Sequence, residues 1–143
     1  MCRAHATVRG LLGEIVGGAQ DVAFADMEAG LENFSRGTPR HADVVLTVLE
    51  PYYRSLETGA RVADLARELG VKRVLAVANK VRSPADAQAI ESFCKSRGLE
   101  LLGTVPHDDA ILDADREGHA LLDHAPSSPA VRAIQEIADR LFV

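Results

Sequence analysis

An α/β fold, a mostly parallel sheet with helices on both faces, is what this sequence predicts, and three observations predict it. Short apolar runs alternate with amphipathic segments of helical spacing along most of the chain, the pattern of strand-crossover-strand units. Two of the runs, Val44 to Leu49 and Arg73 to Val81, are apolar on successive residues, as strands covered on both sides are. Polar residues collect behind each run, at Asp26, Glu50, Asn79-Lys80 and Pro106-His107-Asp108, the edge at which open parallel sheets bind ligands.

Taken in order, Val8, Leu11, Leu12 and Ile15 form an apolar stripe that predicts a helix from Cys2 to Val16, ending near Gly17-Gly18. Val22 to Ala25 reads as a short strand that delivers Asp26 to its C-terminal end and breaks at Ala29-Gly30; an ordinary strand ending in a turn fits these residues as well. A turn-containing connection from Leu31 to Asp43, with Gly37 and Pro39 as breakers, leads to the strand Val44 to Leu49, which Pro51 ends. Ser55 to Leu69 carries Val62, Leu65, Ala66 and Leu69 on one face and stops at Gly70, an amphipathic helix.

The strand Arg73 to Val81 breaks at the polar pair Asn79-Lys80. Ser83-Pro84 then supplies an N-cap and a first-turn proline, with Asp86 where the helix dipole favours a carboxylate. That helix runs to about Arg97 and ends at Gly98. Leu99 to Val105 is a further strand, followed by Pro106-His107-Asp108-Asp109, a short helix from Asp109 to Glu117, Gly118, and an irregular crossing over Leu121-Leu122. Ser128-Pro129 opens the last helix, whose stripe is Val131, Ile134, Ile137, Ala138 and Leu141.

A chain of 143 residues predicts one domain spanning residues 1 to 143. With 4% aromatic residues, no Trp and a net charge of -5, it offers neither a base-stacking surface nor a basic footprint, which disfavours nucleic acid as a partner. No apolar run has membrane-spanning length and no signal peptide is visible, so the expected setting is cytoplasmic, without membrane attachment. The two cysteines, Cys2 and Cys94, are too few for a disulfide framework. Cys94, four residues after Ile90 on a helix, is expected to be a small buried hydrophobe. His41, His119 and His124 fall in connections without ligand spacing and are expected to be solvated or locally bonded. Glu50 and Asp43 show no catalytic partner.

Three motifs carry a family resemblance in their order: D-x-E-A-G-L-E from Asp26 to Glu32, A-N-K from Ala78 to Lys80, and V-P-H-D-x-x-I-L-x-A-D-R-E-G from Val105 to Gly118. Together they resemble the MinD/ParA-type deviant Walker ATPases. D-M-E-A-G-L-E-N-F-S-R-G and the opening C-R-A-H-A-T-V-R-G-L-L resemble the CooC-type members, accessory proteins for nickel insertion into carbon monoxide dehydrogenase.

The resemblance implies ATP/ADP and Mg2+ as cofactors. Asp26 matches the Walker B-like acid that holds Mg2+ through water, and Glu28-Ala29-Gly30 match the switch loop that senses the γ-phosphate. Asn79, followed by Lys80, matches the amide that reads the adenine edge, and Pro106, His107 and Asp108 match the loop flanking base and ribose. On the residues alone, Asn79 is equally a strand-end cap and Pro106 to Asp109 a turn and helix start. The family's G-x-G-G-x-G-K-[ST] phosphate loop is not in the sequence. The chain therefore matches the C-terminal half to two-thirds of such a protein, a truncated P-loop NTPase (SIMIBI-like) fold, expected to be a truncated form or a natural remnant. The strand at Val22 to Ala25 is then expected to pair directly with Val44 to Leu49, or the gap between them to be filled by another chain.

CooC-like proteins bind a metal with a C-x-C pair at a dimer interface. Here only Cys2 of that pair is present, with His5 three residues on, so the resemblance implies a Ni or Zn bridge in a homodimer; a free thiol is the plainer reading of Cys2. The function implied is the nucleotide-binding and switch portion of an ATP hydrolase for nickel metallocentre maturation, with a client such as carbon monoxide dehydrogenase. Two alternatives stand beside it: a ParA/MinD-type partitioning or positioning ATPase, and a non-catalytic dimerisation module that has lost the phosphate site.

Overall fold

The structure, a computed structural model, describes residues 22–27 and 38–142. Cys2, His5, Glu28, Gly30 and the helix expected from Cys2 to Val16 lie outside the described residues. Strands β1 (Val44–Leu49), β2 (Arg73–Val81) and β3 (Glu100–Pro106) form one sheet in the order β1-β2-β3, with β2 and β3 parallel. Helices α1 (Tyr53–Glu68), α2 (Pro84–Ser96), α3 (Asp109–Glu117), α4 (Leu121–His124) and α5 (Pro129–Leu141) occupy the connections and the C-terminal end, and a 3-10 turn at Thr38–His41 precedes β1.

The chain divides into two compact units. One holds residues up to Val45 and Arg61–Val74, and its core is Val45, Ala66 and Val71 with Met27, Ala42, Val62, Leu65, Leu69 and Val74 packed around them. The expected helical stripe of Val62, Leu65, Ala66 and Leu69 is the face that fills this core.

The other unit holds Leu46–Ala60 and Leu75–Val143, and Leu49, Leu75, Ile90 and Cys94 are its largest fully buried side chains. Leu75 to Ala78 are buried without a break, which is why their sequence is apolar on every residue rather than alternating. α1 starts close over β1: a Cβ at Gly59 would strike Leu49 Cδ2, and Thr47 Oγ1 donates to the Gly59 carbonyl at 3.4 Å. α5 lies equally close on β3, where Gly103 faces Ile137, and Arg140 Nη1 donates to the Leu102 carbonyl at 3.1 Å. That contact falls at Leu102, where the β2/β3 register slips so that Leu101 and Gly103 face consecutive residues of β2.

Helix starts follow the sequence closely. Ser83 caps α2 through a full capping box with Asp86, and the Ser128 hydroxyl accepts from the Val131 N–H at the start of α5. Cys94 is buried as expected, and burial pushes its thiol above the ordinary range. Two expectations are corrected. The crossing at Leu121 to Leu122 is part of the short helix α4. Residues 22–27 form no strand and stand outside the sheet, so Val22 to Ala25 is not paired with β1. An apolar run of four residues does not fix its own conformation; what packs beside it decides. Here Met27 anchors the stretch on the first unit's core, while Val22 and Phe24 are 47% and 77% exposed.

Candidate functional site

The C-terminal end of β2 is irregular in a specific way. Between Ala78 and Val81 the register with β3 shifts by one residue, because Ala78 faces Thr104 and Val81 faces Pro106. β2 thus carries an extra residue there, and Lys80 takes up the difference with φ at +55°, the left-handed region that lysine rarely adopts. A bulge re-aims side chains at a sheet edge, and this one sends Lys80 Nζ to Glu50 Oε1 at 2.9 Å. Glu50 follows β1 directly and its own N–H donates to Ser55 Oγ at 2.8 Å, so the first turn of α1 holds it in place.

Beyond the bulge, the Val81 carbonyl accepts from the His107 N–H at 2.9 Å, tying the two strand ends together. Arg82 Nη2 lies 2.8 Å from His107 Nε2. A guanidinium only donates, so Nε2 accepts, and the imidazole is held by that bond. The Arg82 N–H donates in turn to Asp86 Oδ2 at 3.0 Å, which ties the segment to the start of α2. The result is an open groove of about 430 Å³ with Pro51, Tyr52 and Leu112 as apolar surface and Glu50, Lys80, Arg82, Asp86 and His107 as polar lining. Such a groove sets apolar surface beside cations and carboxylates in pairs, Lys80 with Glu50 and Arg82 beside Asp86, the mixed surroundings a polar ring takes.

Asn79, Lys80, Pro106, His107 and Asp108, expected as binding residues, lie at this edge: Asn79 and Lys80 at the bulge, Pro106 opposite Val81, His107 in the groove. Asp108 is engaged otherwise. Its Oδ1 accepts from the Ala110 N–H and its Oδ2 from the Ala130 N–H, both at 3.1 Å, so one carboxylate caps α3 and ties it to the first turn of α5. The Ala130 N–H above all holds its carboxyl below the usual carboxylate range, with the Ala110 N–H, the Ser128 hydroxyl and His107 acting in the same direction against partial desolvation. Asp26 is exposed on the irregular stretch of the first unit. The sequence places Glu50 at this edge without a partner, and it does not single out Arg82. The signal was position: each is the first residue past the C-terminal end of a strand or its bulge.

No family model matches the sequence. The chain is 41% identical over 127 residues to the carbon monoxide dehydrogenase accessory protein CooC of Rhodospirillum rubrum, a match that covers 89% of this chain and 48% of that protein. It is 36% identical over 139 residues to an uncharacterised ATP-binding protein of Methanocaldococcus jannaschii, covering 96% of this chain and 52% of the other. The chain thus spans about half the length of the curated relatives it matches. Among solved structures, the fold is shared with the cell division ATPase MinD of Pyrococcus furiosus at a TM-score of 0.80 and 21% identity, over 96% of this chain and 58% of that one. MinD of Aquifex aeolicus gives a TM-score of 0.79 and 22% identity, over 96% and 60%. In sequence the chain is a relative of the CooC accessory protein along about half of that protein's length, and its fold is the one MinD has.

Proposed function

We propose that the chain is the nucleotide-binding and switch portion of a CooC-like ATPase serving metallocentre maturation. The likeness to the Rhodospirillum rubrum accessory protein supports the setting, and the groove behind β2 and β3 supports the nucleotide. The residues present suit the nucleoside end. Apolar surface from Pro51, Tyr52 and Leu112 receives a planar base, Lys80, Arg82 and His107 supply polar contacts, and Asn79, beside the groove at the β2 bulge, carries an amide that both donates and accepts.

The phosphate end is different: the sequence holds no G-x-G-G-x-G-K-[ST] loop, so no hydrolytic step is derived from these residues alone. In a complete site, bound Mg2+ supplies charge neutralisation on the phosphates, and Asp26 would hold one of its waters while Glu28 and Gly30 sense the γ-phosphate. Nickel is in this reading the cargo, delivered to a client of the carbon monoxide dehydrogenase kind, with Cys2 as the chain's own thiolate toward Ni or Zn in a homodimer.

Calorimetric titration with ATP and Mg2+ tests the reading. Binding is expected, weakened by Asn79→Ala and by His107→Ala, with turnover far below that of a protein carrying the phosphate loop. A folded chain that takes up no nucleotide would instead support the non-catalytic interaction module.

A further inference from the structure

At the end of α3 the chain brings together three side chains that the spacing in the sequence does not announce. Glu117 is the last residue of α3, and Gly118 caps the helix in the left-handed conformation with φ at +69°. That turn is fixed by the His119 N–H donating to the Ala114 carbonyl at 2.9 Å, and α4 then swings His124 back, its N–H bonded to the Ala120 carbonyl at 2.9 Å. The outcome is that His119 Nδ1 lies 3.5 Å and His124 Nδ1 3.4 Å from the same oxygen, Glu117 Oε2. The imidazole rings stand 6.2 Å apart, tilted by 37°.

We propose that Glu117, His119 and His124 form a binding site for a divalent transition-metal ion such as Zn2+ or Ni2+, held by two imidazole nitrogens and one carboxylate oxygen. The distances carry this. At 3.4 and 3.5 Å the contacts are longer than good N–H···O hydrogen bonds, which peak near ~2.9 Å. They match the ligand-to-ligand edge of a tetrahedral ion with bonds of about 2.0–2.1 Å, which is roughly 3.3 Å. All three ligand atoms lie within 4.8 Å of one another.

The chemistry agrees. Imidazole with one carboxylate is a donor set for Zn2+ and Ni2+ rather than for Mg2+ or Ca2+, and three protein ligands leave a position open to water. The carbonyl end of α3 adds a partial negative charge at Glu117. Side-chain exposures of 56% for Glu117, 62% for His119 and 25% for His124 leave an ion a direct path in. The site shares no residue with the groove or with Cys2, so it stands whether or not the nucleotide reading does.

The test is titration of the tag-free 143-residue chain with Zn2+, followed by calorimetry, in two variants. One equivalent per chain is expected to bind in Cys2→Ser/His5→Ala, where the Cys2 thiolate can take no part, and the histidine substitutions are made in that background. His119→Ala/His124→Ala is expected to lower the affinity of that equivalent by more than about tenfold, while circular dichroism shows the same folded spectrum. Co2+ as a spectroscopic probe of Cys2→Ser/His5→Ala should give visible bands, which the histidine substitutions remove. No stoichiometric binding in Cys2→Ser/His5→Ala, or an affinity there that His119→Ala/His124→Ala leaves unaltered, would each overturn the assignment.

Discussion

Gly103 has no room for a side chain. A Cβ there would run into Ile137 Cγ1 and come within 3.0 Å of its Cδ1, and Ile137 is a buried residue of the helix that covers β3. Gly103→Ala is therefore expected to destabilise the chain by about 1–3 kcal/mol, since an overfilled core moves backbone or forces poor rotamers. Ile137→Ala removes both clashing atoms and leaves the nearest at 3.8 Å. The double variant should then lose less than the two single losses added together, by at least about 0.5 kcal/mol in urea unfolding. Strict additivity would mean that α5 shifts to make room. No sequence pattern announces this approach, because a glycine in a strand reads equally as a bulge or a weak point. The same holds for Lys80. Nothing in Ala78-Asn79-Lys80 marks a left-handed lysine, yet in that conformation the Lys80 ammonium meets Glu50 at the groove.

Elements are where local chemistry spoke plainly. Ser83-Pro84, Ser128-Pro129 and the glycines at 70, 98 and 118 mark helix ends that the structure places within a residue or two. Residues 22–27 were not legible because their apolar run is decided by neighbours rather than by its own propensity. His119 and His124 are locally bonded, as their positions predict, but their meeting on one carboxylate is not legible in the spacing: α4 is four residues long, and its turn brings His124 back to Glu117. Asp108 shows how one residue serves two elements, with its carboxylate on N–H groups of both α3 and α5. The sign of its pH dependence follows. A carboxyl depressed in the folded state adds stability that is fully present above its ordinary value of about 3.9 and is lost as pH falls through the folded value. Thermal melts should show Asp108→Ala below the parent at pH 7, with the gap closing below about pH 4. An equal gap at pH 7 and pH 3 would show that shape rather than charge joins the helices.

At the scale of the molecule, the sheet carries a problem that its own described residues do not solve. Among them, β1 is the last strand on its side, and its sequence, Val44-Val45-Leu46-Thr47-Val48-Leu49, holds none of the lysines or prolines that guard a free edge. Val48 is 56% exposed. A strand of this composition is built to be covered, and the relatives that this chain matches are about twice as long. If the 143 residues supply the base and switch side of a deviant Walker site, a phosphate loop joined to them should complete it. A chimera that carries the N-terminal half of the Rhodospirillum rubrum relative ahead of this chain is expected to hydrolyse ATP with Mg2+, while the 143 residues alone turn it over far more slowly. Asp26→Ala in the chimera should remove that turnover, because positioning and charge neutralisation around Mg2+ are nearly all that phosphoryl transfer asks of the protein. Leu112→Ala, on the groove, should weaken nucleotide affinity and leave Mg2+ dependence alone. A chimera that folds, binds nucleotide and stays inert would place the catalytic switch elsewhere than at Asp26.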